Sequence, residues 1–144
     1  MNTILVGVLS LFVLGNAGFF YLGKKSQDGS ALGLVAGKLA PCPSSPNCVS
    51  SEDNVDDEKK VEPLPVTAWG KLPALVTELG GVWIKQEANY MAAEFTSSTF
   101  KFVDDLEFRL AEEGVHVRSA SRVGYSDRGV NLVRVETLRQ GLNN

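Results

Sequence analysis

The stretch "FKFVDDLEFRLAEEGVHVRSASRV", residues 100–123, decides the fold. Its first half alternates with a period of two, so Phe100, Phe102, Leu106, Phe108 and Leu110 share one strand face, interrupted by Asp104. Val103, Asp105, Glu107 and Arg109 take the opposite face. After "AEEG" the pattern resumes, with Val115 and Val117 inward and His116, Arg118, Ala120 and Arg122 outward. With Ala111 opposite Gly114, the hairpin register sets Glu107 opposite Arg118 and Arg109 opposite His116, and Asp105 diagonal to Arg118. The result is a lattice of acids and bases on the outward face. On a wet sheet such pairs contribute about 0.2–1 kcal/mol each; turned toward a partner they would form a recognition surface.

Outward from this hairpin, two further strands are expected over residues 82–86 and 90–97, before the strands of residues 100–110 and 115–123. "VTAWGKLPALVTELGG" precedes them with Trp69, Leu72, Leu75, Val76 and Leu79 at helical spacing, Thr67 as a cap and Gly80 and Gly81 as a stop. Residues 128–142 close the chain as a second helix, with Leu132, Val135, Leu138 and Leu142 on one face. The expected fold class is α+β, a two-layer domain in which an antiparallel four-stranded meander packs with two helices. The 144 residues, 44% of them hydrophobic, suffice for one modest core.

The N-terminus reads differently. Residues 3–22, "TILVGVLSLFVLGNAGFFYL", carry no charge over a length sufficient to cross a hydrocarbon core about 30 Å thick. The organisation expected is therefore a membrane anchor helix over residues 1–23, a Gly-rich tether over 24–40 and a soluble domain over 41–144. No basic residue precedes the apolar run, which disfavours a cleaved signal peptide. Lys24 and Lys25 argue for a cytoplasmic domain, whereas a disulfide argues for an oxidising compartment. The balance favours a single-pass membrane protein with its domain on the periplasmic or luminal side.

The 17 acidic against 14 basic side chains argue against nucleic acid as a partner. The charge is uneven: residues 114–144 carry five arginines and only two acids. "EDNVDDE", residues 52–58, lacks the alternating oxygen ligands and glycine of a calcium loop and reads as solvated. "PCPSSPNCVSS", residues 41–51, holds both cysteines, Cys42 and Cys48. Structural zinc wants four Cys or His ligands and the chain offers two Cys and His116; the Cys-x5-Cys spacing also differs from a redox dithiol motif. A disulfide is the expected state, and closing the seven-residue span removes about 2.4 kcal/mol of unfolded-chain entropy. No metal and no cofactor are expected, and no Gly-rich phosphate loop or Gly-flanked serine elbow is present.

The strings "PCPSSPNCVSS" and "FVDDLEF…VRSASRVGYSDRGVNLVRVE" resemble the bacterial and plastid family known as the domain of unknown function 1499. The resemblance runs from about residue 41 to residue 142. It is carried by Cys42, Pro43, Ser45, Pro46, Asn47, Cys48 and Ser50, by Asp104, Asp105, Glu107 and Phe108, and by the run from Arg118 to Glu136 that includes Ser119, Ser121, Arg122, Gly124, Asp127, Gly129, Asn131 and Arg134. It implies an envelope-associated or luminal domain and names no activity.

From the residues themselves, one polar cluster is expected where the last strand meets the last helix: Arg118, Arg122, Asp127, Asn131 and Arg134, with Asp104 or Asp105. Forked guanidinium donors beside a helix N-terminus suit an anionic partner, such as a small molecule, a lipid head group or the carboxylate of an envelope protein. The function expected is a binding or assembly module. The alternative is a hydrolase-type enzyme with Asp104 or Asp105 as general acid or base beside Arg118 and Arg122.

Overall fold

The computed structural model describes residues 3–143, with the side chains of residues 3–7 and 9–12 outside the description. Helix α1 (Thr3–Gln27) leads into a small hairpin, β1 (Leu34–Val35) and β2 (Lys38–Leu39), and then a short strand β3 (Cys48–Ser50). Two 3-10 turns and helix α2 (Leu72–Glu78) follow. Strands β4 (Val82–Gln86), β5 (Tyr90–Thr96), β6 (Val103–Leu110) and β7 (Val115–Ser121) precede helix α3 (Val130–Leu142). The main sheet has the order β3-β7-β6-β5-β4 and is antiparallel throughout.

The four-stranded meander is thus corrected to five strands. β3 adds to the open edge of β7, pairing Cys48 with Ala120 and Ser50 with Arg118. Three residues beside a proline-rich loop are too short to display a period. The hairpin register is as read from the alternation, with Glu107 opposite Arg118 and Arg109 opposite His116.

Helices α2 and α3 cover one face of the sheet. Leu106, Phe108, Val115 and Val117 meet Leu72, Val76, Val135 and Leu138 there in a continuous core. α3 turns one step from the expected face: Asn131 is fully buried while Leu132 is 45% exposed. α2 begins later than expected because Pro73 sits in its first turn, where a missing N–H costs nothing.

The second face is not wet. Residues 29–39 lie across it, with Leu39 fully buried against Tyr90 and Ala92. Ser51 and Glu52 also lie against it, beside His116 and Arg109. The segment expected as a tether thus contributes a cover for the charged lattice.

Among the described residues no helix is long and apolar enough to cross a membrane. The single-pass anchor expected over residues 1–23, and the membrane localisation with a periplasmic or luminal domain derived from it, are therefore not supported. Residues 1–2 and the side chains of 3–7 and 9–12, which belong to that expectation, lie outside the description. The physical reason is visible at the other end, where α1 is docked on the domain rather than free of it. Phe19 and Phe20 pack against Phe100, their ring centroids 5.2 and 5.1 Å from its own. Gly23 passes so close that a Cβ there would lie 1.7 Å from the Phe100 carbonyl oxygen. Ser26 is fully buried; its hydroxyl donates to the Gly23 carbonyl at 2.7 Å and accepts from the Val103 N–H at 3.0 Å.

Ser26 therefore caps the first N–H of β6. Ser26→Ala should cost about 1–3 kcal/mol, because it leaves that donor buried without an acceptor. Denaturant unfolding gives the loss, and faster amide exchange at Val103 locates it; an unchanged Val103 amide would contradict the docking.

Candidate functional site

On the face covered by residues 29–39 together with Ser51 and Glu52, the buried charges described are paired. Glu107, fully buried, accepts from Arg118 Nη1 at 2.9 Å, from the Tyr90 hydroxyl at 2.7 Å and from the Gly33 N–H at 2.8 Å. Burial first, and then the bond to the Glu107 carboxylate, hold the Tyr90 phenol far above its ordinary range. Arg118 Nε is buried without a protein acceptor. Arg122 forks onto Asp105 at 2.6 and 2.9 Å, reaches Glu94, and donates to the Ser26 carbonyl at 3.2 Å. The bond to Asp105 raises an already high arginine pKa.

Glu52, expected in a solvated loop, is 1% exposed and takes a bidentate pair from Arg109 at 2.8 and 3.0 Å. Burial pushes its carboxyl up, but the Arg109 bond, the Leu39 N–H and the charges of His116 and Arg109 outweigh it and hold it low. His116 lies between the Ser51 hydroxyl at 3.3 Å and Glu113 at 2.9 Å. This serine, histidine and glutamate make no nucleophile: Ser51 is 4% exposed, and its hydroxyl accepts from Val117 N–H and donates to Val117 C=O.

The opposite face carries a second network under α3. Arg134 donates to Asp104 at 2.8 Å, to Asn131 Oδ1 at 2.7 Å and to Ser119 at 3.0 Å, and its guanidinium stacks 4.5 Å from the Phe95 ring centre. Asn131 donates from Nδ2 to Asp127, Ser121 and the Asn47 carbonyl at 2.8, 3.1 and 3.3 Å. Gly129, at φ 82°, starts the helix without a side chain, so Asp127 does the capping, accepting from Gly129 and Asn131 N–H at 3.0 and 2.9 Å. Burial raises the Asp127 carboxyl, yet these backbone bonds and the Asn131 amide prevail and depress it.

The single cluster expected from the sequence is therefore two. Asp104, Asp127, Asn131 and Arg134 come together beneath α3, while Asp105, Arg118 and Arg122 lie on the other face. Strand parity explains the split: Asp104 and Asp105 are neighbours and must point to opposite sides.

Beside the α3 network lies a groove of about 600 Å³ between the end of α1, the 97–102 loop and the 121–130 segment. Phe19, Leu22, Phe100, Phe102, Val123 and Val130 supply its apolar wall, and Asp104, Ser121 and Asp127 its polar edge. Arg128 also lines it, in a left-handed backbone conformation at φ 57° that a side chain adopts at a cost. Among the described residues it is the arginine with no carboxylate within 4.0 Å; the guanidinium groups of Arg109, Arg118, Arg122, Arg134 and Arg139 all have one. Sequence reasoning missed Phe19, assigned to a membrane span, and counted Arg128 without distinguishing it. The one available signal was its place between Asp127 and Gly129 in a turn.

Asp127 titrates below its unfolded value, so its contribution is complete above about pH 5 and is lost as pH falls through the folded value. Denaturation curves from pH 6 to 3 should be flat down to about pH 5 and then fall. Asp127→Asn, which keeps a cap but no charge, should make that fall shallower and leave the share due to Glu52. Superimposable acid limbs would count against the cap.

Both charged networks and Arg128 lie within residues 38–142, the span that matches the family described as protein of unknown function (DUF1499), whereas Phe19, Leu22, Ser26 and Gly33 precede it. No curated protein and no solved structure matches the chain. A match over that span, which holds the whole five-stranded sheet together with α2 and α3, means that the chain belongs to the DUF1499 family.

Proposed function

We propose that the protein is a binding module whose site is the groove beside α3, and that its ligand is an anionic amphiphile: an apolar chain ending in a carboxylate or a comparable acidic head. The observation that carries this reading is the pairing of an apolar wall with one arginine that no carboxylate neutralises. The volume lies in the range of small-molecule sites, which are mostly apolar with a few placed polar groups. Anion contact through Arg118, Arg122 or Arg134 has less support, since each of the three is already paired with a carboxylate. The hydrolase reading has less support for the same reason. Asp104 and Asp105 are held by Arg134 and Arg122 at 2.8 and 2.6 Å, and a general acid or base needs a lone pair or proton free to exchange.

Titration of the protein with dodecanoate and with dodecanol by calorimetry tests the proposal. Dodecanoate should bind more tightly. Arg128→Gln should weaken dodecanoate by about tenfold, as expected for losing a bond to a charged group, with little effect on dodecanol. Phe102→Ala should weaken both. Absence of dodecanoate binding, or binding indifferent to both substitutions, would overturn the reading.

A further inference from the structure

One residue of the disulfide loop, Asn47, is bonded to the wall of the groove. Cys42 and Cys48 are bonded, closing a ring of residues 42–48 that contains Asn47. Asn47 is 3% exposed. Its carbonyl accepts from the Ser121 N–H at 2.9 Å and from Asn131 Nδ2 at 3.3 Å. Its side-chain amide donates to the Gly124 carbonyl at 2.8 Å, while Oδ1 accepts from Ser45, another ring residue, at 2.8 Å. Ser121 and Gly124 belong to the groove wall that carries Tyr125, Asp127 and Arg128. The ends of this wall are held separately, by Asn131 on Ser121 and Asp127 and by Asp105 on Arg122; between Val123 and Ser126 the one long-range hydrogen bond among the described residues is Asn47 to the Gly124 carbonyl. We infer that the Cys42–Cys48 disulfide is a redox latch that holds the 123–126 part of the groove wall, beside Arg128, in place through Asn47; the ligand part of this inference rests on the groove reading above.

The chemistry is a thiol–disulfide exchange with a dithiol reductant. Cys48 is 2% exposed and Cys42 is half-buried, so the reductant's thiolate attacks Cys42 Sγ and Cys48 leaves as its thiolate. The second thiol of the reductant then attacks the sulfur of its own mixed disulfide, and Cys42 leaves. Two electrons and two protons pass to the protein, and the dithiol becomes a disulfide. The fold has the means to survive this: the core of Leu106, Phe108, Val117, Val135 and Leu138 includes no residue of the ring, and β3 keeps its ladder to β7. What is lost is the closure that presents Asn47 to Ser121 and Gly124.

The full chain, oxidised or treated with dithiothreitol, tests this by hydrogen exchange and by dodecanoate titration. Reduction should speed exchange of the Ser121 amide about tenfold or more while Leu106 and Phe108 stay protected, and should lower dodecanoate affinity at least about fivefold. Asn47→Ala in the oxidised protein, which removes the side-chain bond to Gly124 but keeps the backbone carbonyl that Ser121 donates to, should lower dodecanoate affinity while Ser121 stays protected; undiminished affinity in that variant overturns the role of Asn47. Unchanged Ser121 exchange overturns the latch whether or not the groove binds. So does loss of protection throughout the core, which would make the disulfide a staple of the whole fold. Faster Ser121 exchange with undiminished dodecanoate affinity overturns the coupling to the ligand. If the oxidised protein binds no dodecanoate, the groove reading fails, and Ser121 exchange alone decides the latch.

Discussion

Glu107 carries no exposed surface, and a carboxylate so placed is tolerated only when its lone pairs are met by donors. Its three donors come from three parts of the chain: Arg118 across the hairpin, Tyr90 from the neighbouring strand, and the Gly33 N–H from the segment before β1. The last of these ties the N-terminal cover to the sheet. Removing the cover would let water serve the carboxylate, so the segment is not needed to satisfy Glu107. Once Leu39 and Ala31 have buried Tyr90 and Ala92, however, water is excluded and a backbone donor must replace it. Apolar burial of the cover and pairing of the charged lattice therefore depend on each other, and the same logic binds Glu52 to Arg109 and Asp105 to Arg122.

This dependence explains how far the sequence was legible. Period-two alternation in residues 100–123 gave the central hairpin, its register and its core face, because one apolar side had to be hidden. Helical spacing located α2 and α3, although Asn131 displaced Leu132 from the core of α3 by hydrogen-bonding Asp127 and Ser121. The other face was misjudged for a physical reason. Charged side chains on alternate positions look solvated, and only a partner segment reveals that they are paired and buried. That segment, residues 29–39, is short-stranded and rich in Gly and small residues, so no period announces it. α1 was misread because an uncharged run is compatible with several environments, whereas Ser26 and Gly23 show their role only against Val103 and Phe100.

The candidate site was partly legible. Asp104, Asp127, Asn131 and Arg134 were chosen together, and they meet. Arg118, Arg122 and Asp105 were joined to them because the turn after β7 was expected to bring the outward face of the strand to the start of α3, whereas α3 packs on the opposite face. The arginine that a ligand would find available, Arg128, is distinguished by what it lacks, a carboxylate neighbour, and that is a property of the folded chain alone.

The opposition of Asp104 and Asp105 has a structural consequence for the groove. Asp104 holds Arg134, whose Asn131 partner shares Asp127 with the start of α3 and so fixes one end of the 121–130 wall. Asp105 holds Arg122, which clasps the Ser26 carbonyl and so fixes the end of α1, the facing wall. The two walls are thus held from opposite faces of one strand, through consecutive residues. A displacement of β6 at this point would be transmitted to both walls through charge-assisted bonds, the least extensible contacts available in the site. The width of the groove is therefore set by the sheet, and what remains adjustable is the loop between Val123 and Arg128, which Asn47 holds through the Gly124 carbonyl.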